Sequence, residues 1–233
     1  MTVLTQPYLV IDIETAPASQ QHIDALMEAW KPPGNIKDPA KIAAKRDEAA
    51  ARAVDKASLL DAAPIICIGY GHLDGDDTFN VVLHTLDRLP DRYDNESQML
   101  AGFAEFLANS CSAATELVGH NIQSFDLPKL RHAYIRNALP IPGVLKVSPP
   151  RFQPCFDTMR NFRYFSTENY DNRFVSLETV CRTLGIPQDF GDIKGKDIAE
   201  AYELGWHEEI LKHAYADIVT TLVVYQTMIG APS

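Results

Sequence analysis

Asp12 and Glu14 follow the apolar run Tyr8-Leu9-Val10-Ile11, with Ile13 between them. In an extended chain alternate side chains share a face, so the two carboxylates project together, roughly 7 Å apart along the backbone. Their charges repel unless a cation sits between them. Taken alone, the pair is also what a solvated strand end looks like. Two later carboxylates change its meaning. Asp126, in GHNIQSFDLPKL, comes just after the strand-like Glu116-Leu117-Val118 and opens a helical pattern, where it could equally be an N-cap. Asp217, in HAYADIVTT, lies on a helix lined by Ile210, Leu211, Ala214, Ile218, Leu222 and Val223, beside an apolar stripe where an unpaired charge is costly. His213, four residues earlier, shares the face of Asp217, whereas Tyr215 points to the opposite side. Four carboxylates with a nearby imidazole suit hard divalent cations, Mg²⁺ or Mn²⁺, which prefer carboxylate and water oxygens. Two such ions about 4 Å apart can activate a water and stabilise the leaving oxygen in an in-line displacement at phosphorus.

The elements that must position these residues follow from periodicity and punctuation. The run YLVIDIE reads as a buried strand, and PIICIGYG and DTFNVVLHTL as two more, joined as a hairpin through the turn-rich HLDGDD. NESQMLAGFAEFLANS is an amphipathic helix with Met99, Leu100, Phe103, Phe106 and Leu107 on one side. Then come the short strand TELVGHN and the helix DLPKLRHAYIRNA; later helices are SLETVCRTLGI, stopped at Gly185, IAEAYELG, and a long one from His207. Strands first, then alternating helix and strand, predict an α/β protein with a mixed central sheet flanked by helices. In such sheets sites assemble beyond strand C-termini, where Asp12, Glu14 and Asp126 fall.

Between the first and second strands lies a long polar interval. Asp38 as N-cap, Pro39 in the first turn and an alanine-rich continuation predict a helix there, with a weak stripe of Ile42, Ala49, Ala53, Ala57 and Leu60. This reads as a helical insertion over approximately residues 28 to 60, either a solvated arm or a clamp for a substrate or partner, within one domain of residues 1 to 233.

At 233 residues, 46% hydrophobic and 22% charged, the chain has the composition of an ordinary globular protein. No apolar run is long enough to span a membrane and no leader-like segment opens the sequence, so a soluble cytoplasmic protein is expected, its four scattered cysteines reduced. The formal charge of −10 argues against a broad electrostatic grip on nucleic acid. Locally the balance reverses: residues 129 to 173 carry a net +5, and RNFRYFSTENYDNRF interleaves Arg160, Arg163 and Arg173 with Phe162, Tyr164, Phe165, Tyr170 and Phe174. Aromatic platforms beside cations are what single-stranded nucleic acid binding requires, although most aromatics are core residues.

In order and spacing, DIET, NIQSFD and HAYAD resemble the three motifs of the DEDD superfamily of 3′–5′ exonucleases, on a ribonuclease H-like fold. The chain is most similar to the stand-alone predicted exonucleases related to the proofreading domain of family B DNA polymerases, and CFDTM, SLETVCRTLGIP and KGKDIAEAYELG resemble their connecting segments. The resemblance implies that Asp12, Glu14 and Asp217 hold the metal that activates the attacking water, that Asp12 bridges to a second metal, and that Asp126 acts through that ion or its water. It further implies that Asn121 and Phe125 shape the site around the terminal nucleotide. One departure concerns the base. In one branch of the superfamily a tyrosine stands four residues before the last aspartate, in the other a histidine stands five before it; here His213 has the first spacing and the second residue type.

The expected activity is therefore two-metal 3′–5′ hydrolysis of DNA, from single strands or frayed ends, to nucleoside 5′-monophosphates. RNA stays open as a substrate because no 2′-hydroxyl reader is visible, and a replication or repair polymerase stays open as a partner. The competing readings are a nucleic-acid-binding or polymerase-associated module without efficient chemistry, and an endonuclease of the same general fold, which NIQSFD disfavours.

Overall fold

The computed structural model describes residues 6–74, 78–86, 92–145, 154–166, 174–188 and 193–230, apart from the side chains of Arg92 and Phe165. Two compact units emerge, Met1–Glu14 with Ile65–Ser233, and Thr15–Pro64.

Among the described residues the larger unit contains strands β1 (Tyr8–Thr15), β2 (Ile65–Leu73), β3 (Phe79–Leu86), β4 (Arg92–Tyr93), β5 (Glu116–Gly119) and β6 (Cys155–Asp157), in the order β4-β3-β2-β1-β5-β6. The sheet is mixed. β2 and β3 form the expected antiparallel hairpin, whereas β1, β5 and β6 run parallel, with Val10 level with Val118 and Gly119 level with Asp157. Parallel neighbours bring their C-terminal ends to one edge, and that edge holds the acidic residues.

Alternation along β1 decides which helices meet which side chains. Leu9, Ile11 and Ile13 face the main core, packed with Met99, Leu100, Phe103 and Leu107 of α3 (Glu96–Ser110) and Leu127, Leu130 and Tyr134 of α4 (Asp126–Arg136). Val10 faces the other side, with Val118, Ile218, Leu222 and Tyr225. Burying one such aliphatic side chain contributes roughly 1.5–3 kcal/mol, so a one-residue slip of β1 is strongly disfavoured. Asp12 and Glu14 share the parity of Val10. They therefore lie on the face crossed by the long last helix, labelled α8 below.

A satellite cluster joins α5 (Thr158–Phe165) and α6 (Leu177–Leu184) through Met159, Phe162, Val175, Val180 and Cys181, with Val224. Next come α7 (Ile198–Glu203) and α8 (His207–Ile229), the latter lying across β2, β3 and β5. Caps set the helix boundaries: Asn95, Asp157 and Ser176 accept backbone N–H bonds at the starts of α3, α5 and α6, and Gly185 takes the left-handed conformation after α6. No helix among the described residues is long and apolar enough to cross a membrane.

The smaller unit holds α1 (Gln20–Ala29), capped by Ser19, and α2 (Pro39–Asp55), capped by Asp38 as the sequence predicts. The expected insertion of residues 28 to 60 falls inside it. The stripe expected on α2 differs: no residue of that helix is buried, and Ala57 is buried only in the 3-10 turn that follows.

Candidate active site

Three elements supply the four acidic residues. Asp12 and Glu14 come from β1, Asp126 from the start of α4, and Asp217 from the middle of α8. Asp126 is not the helix N-cap: Phe125 occupies that position, and the Asp126 carboxylate instead accepts a hydrogen bond from Ile13 N–H of β1 at 3.1 Å. His213 is buried on α8, its Nε2 lying 3.6 Å from Asp217 Oδ2 and 3.8 Å from Glu14 Oε1. Its Nδ1 is buried with no hydrogen-bond partner among the described residues. Tyr215 is exposed.

Burial, reinforced by mutual repulsion, sets the electrostatics of these carboxylates. Burial pushes Asp12 well above the usual carboxylate range, and the charges of Glu14, Asp217 and Asp126 push it further. Glu14 is raised by burial, then by Asp217 and Asp126. Burial lifts Asp126 to about 7, against the pull of two backbone N–H donors and with help from Asp157 and Asp217. Burial also raises Asp217, which His213 partly offsets. On the neighbouring strand β2, burial raises the Cys67 thiol, and Glu14 and Asp12 add to the effect.

An all-oxygen, multiply charged and poorly solvated donor set fits hard divalent cations by its chemistry. In their present rotamers, no three His, Cys, Asp or Glu side chains among the described residues are grouped closely enough to hold an ion.

The turn that carries Asp126 to this edge depends on two local features. Gly119 ends β5 where an added Cβ would lie 2.7 Å from Ile122 Cβ and 2.9 Å from Ile11 O, so only glycine lets the turn fold this close to β1. Asn121 adopts φ 61°, a left-handed conformation that asparagine tolerates. A fifth carboxylate, which sequence reasoning missed, anchors the turn. Asp157, buried at the end of β6, accepts from Asn121 N–H (3.2 Å), Gln123 N–H (3.1 Å) and Arg160 N–H (3.0 Å). His120 was also missed: its Nε2 lies 2.7 Å from the Val175 carbonyl oxygen and its Nδ1 2.9 Å from the Thr158 hydroxyl, and burial lowers its pKa.

The remaining predicted contacts separate. Asn121 lies in the anchored turn, and Phe125 is half-buried against the main core with Lys129 Nζ 5.5 Å from its ring. Arg160 and Arg163 lie on α5. The basic stretch is not one surface: Lys129 is buried, Arg131 bonds the Leu145 carbonyl, and Arg136 pairs with Glu96 at 2.7 Å. Lys146, Arg151, Tyr170 and Arg173 lie outside the described residues. Of the aromatics, Phe162 is a core residue, whereas Tyr164 and Phe174 are exposed.

Comparison with known proteins agrees with this architecture. The family B DNA polymerase from the hyperthermophilic archaeon Pyrobaculum calidifontis is similar in fold, with a TM-score of 0.53 at 14% identity over 95% of this chain. This chain spans 24% of that polymerase chain. No curated protein matches by sequence. A family model described as a predicted 3′–5′ exonuclease related to the exonuclease domain of PolB matches residues 61–230, a span that contains Asp126, His213 and Asp217 and begins after Asp12 and Glu14. With nearly three quarters of its length matched, the chain belongs to the family of predicted 3′–5′ exonucleases related to the PolB exonuclease domain.

Proposed function

We propose that this chain, on a ribonuclease H-like fold, removes nucleoside 5′-monophosphates from the 3′ end of DNA, from single strands or frayed ends. The observation that carries the reading is the placement of Asp12, Glu14 and Asp126 at one sheet edge, with His213 of α8 3.8 Å from Glu14 and 3.6 Å from Asp217.

Asp12, Glu14 and Asp217 would hold one Mg²⁺ or Mn²⁺, and Asp12 with Asp126 a second. Bound there, such ions supply Lewis acidity toward the attacking water and the leaving 3′ oxygen. The chain's own groups do the rest. His213 Nε2 orients the water and takes its proton, and the carboxylates of Asp217 and Glu14 stabilise the imidazolium that forms. Asn121 and Phe125 bound the terminal nucleotide, and Arg160 and Arg163 neutralise phosphates of the strand.

Pure protein incubated with end-labelled DNA and RNA oligonucleotides and Mg²⁺ or Mn²⁺ tests this reading. The expected result is stepwise shortening of DNA from the 3′ end, lost in Asp12→Ala. No shortening with any strand type overturns it. The unusual His213, the net charge of −10 and the lack of a three-ligand grouping among the described residues favour a second reading, a nucleic-acid-binding module without turnover. Strand binding that is indifferent to both metal and Asp12→Ala would select it.

A further inference from the structure

Beside the Asn121 turn a cleft of about 350 Å³ is lined by Gln123, Arg160, Asn161 and Tyr164. That volume falls in the range of small-molecule sites, roughly 300–1,000 Å³. The lining is specific in its chemistry. Among the described residues it comprises one guanidinium, two carboxamides and one aromatic ring, and no carboxylate to repel an anion. Tyr164 is 82% exposed. The Arg160 guanidinium donates to Gln123 Oε1 across the cleft, and the Asn161 amide donates to the Asp157 carbonyl at 2.9 Å.

Both walls share an anchor, because the Asp157 carboxylate accepts from Gln123 N–H on one and Arg160 N–H on the other. The cleft is thereby fixed to the turn that carries Asp126. Gln123 precedes Asp126 by three residues, a backbone reach of at most about 10 Å. Anything bound in the cleft lies within the last few nucleotides of a strand whose end is at the carboxylates.

We infer that this cleft is a subsite for an upstream nucleotide of a single strand, its base stacked on Tyr164 and its phosphate on Arg160, with Gln123 and Asn161 at the base edge. This rests on the exonuclease reading of the neighbouring carboxylates. A stacked base tolerates every sequence, as a processive strand requires, and its loss on alanine substitution costs about five- to hundredfold in binding.

The test compares two substrates in the full chain: a short end-labelled oligothymidylate, and the p-nitrophenyl ester of thymidine 5′-monophosphate, which has no upstream nucleotide. In Tyr164→Ala the ratio of kcat/KM for the oligonucleotide to that for the ester falls about tenfold, and Tyr164→Phe restores it. A ratio unchanged in Tyr164→Ala, or lowered equally in Tyr164→Phe, overturns the subsite. If the parent protein turns over neither substrate, the exonuclease reading fails by itself. The subsite is then read by fluorescence anisotropy of labelled oligothymidylate in EDTA, where binding about tenfold weaker in Tyr164→Ala and restored in Tyr164→Phe supports it, and equal binding overturns it.

Discussion

The Asp126 carboxyl, raised to about 7 from an ordinary 3.8, holds its proton more tightly in the folded protein than in the unfolded chain. Between those two values the unfolded chain has lost a proton that the folded protein keeps. Stability contributed by the protonated group is therefore complete below the lower value, falls as pH rises across the window, and levels off above the upper one. In metal-free buffer, urea unfolding is expected to show wild type losing stability relative to Asp126→Asn over this window; parallel curves would refute the assignment. His213 makes a kinetic prediction. His213→Ala should lower turnover about 10²- to 10⁴-fold while leaving strand binding in place, as measured by single-turnover kinetics and anisotropy; near-normal turnover rejects it as the base. At this scale the sequence was readable wherever a role depends on spacing along one element. His213 and Asp217 are four apart on a helix, and Asp12 and Glu14 two apart on a strand. Asp157 was not readable, because its partners are backbone N–H groups up to 36 residues away, and backbone carries no side-chain signal.

The Asn121 turn owes its path to one missing side chain. Gly119→Ala would set a methyl group 2.9 Å from the Ile11 backbone oxygen and 2.7 Å from Ile122 Cβ, neither of which is the far end of a flexible chain. The expected cost is about 1–3 kcal/mol of stability by chemical denaturation, with activity lowered as Asp126 shifts from Ile13 N–H. A variant as stable and active as the parent would show that the turn can move freely. Elements with strong caps and a regular apolar face were legible in advance: α2 through Asp38 and Pro39, α3 through its Met99 to Leu107 stripe, and the β2–β3 hairpin through its turn. Helix α1 was not, because only Ile23 of its ten residues is buried and no stripe forms. Helix α5 was hidden by its own composition. Its arginines and aromatics looked like a contact surface, while tertiary packing took Phe162 into the core and left Tyr164 outside.

For the whole molecule, a net charge of −10 and a dispersed basic stretch set how a polyanion is held. Among the described residues of that stretch, Lys129 is buried and Arg131 and Arg136 bond within the fold, and this reading takes Arg160 and Arg163 as phosphate contacts. Each phosphate neutralised on a single strand contributes about −0.7 to the slope of log K against log salt, so two contacts give about −1.4. Titrations of labelled oligonucleotide in EDTA over a salt series measure it; a slope steeper than about −4 would mean a far broader cationic surface. The same parallel arrangement that gathers the carboxylates also sets an order of events. β1 pairs with a strand more than a hundred residues later, and the acidic set closes only with Asp217 on α8. A ribosome delivers residue 217 long after residue 12, so every shorter nascent chain lacks a member of the set. On the proposed reading, metal-dependent cleavage therefore cannot begin before Asp217 has been synthesised.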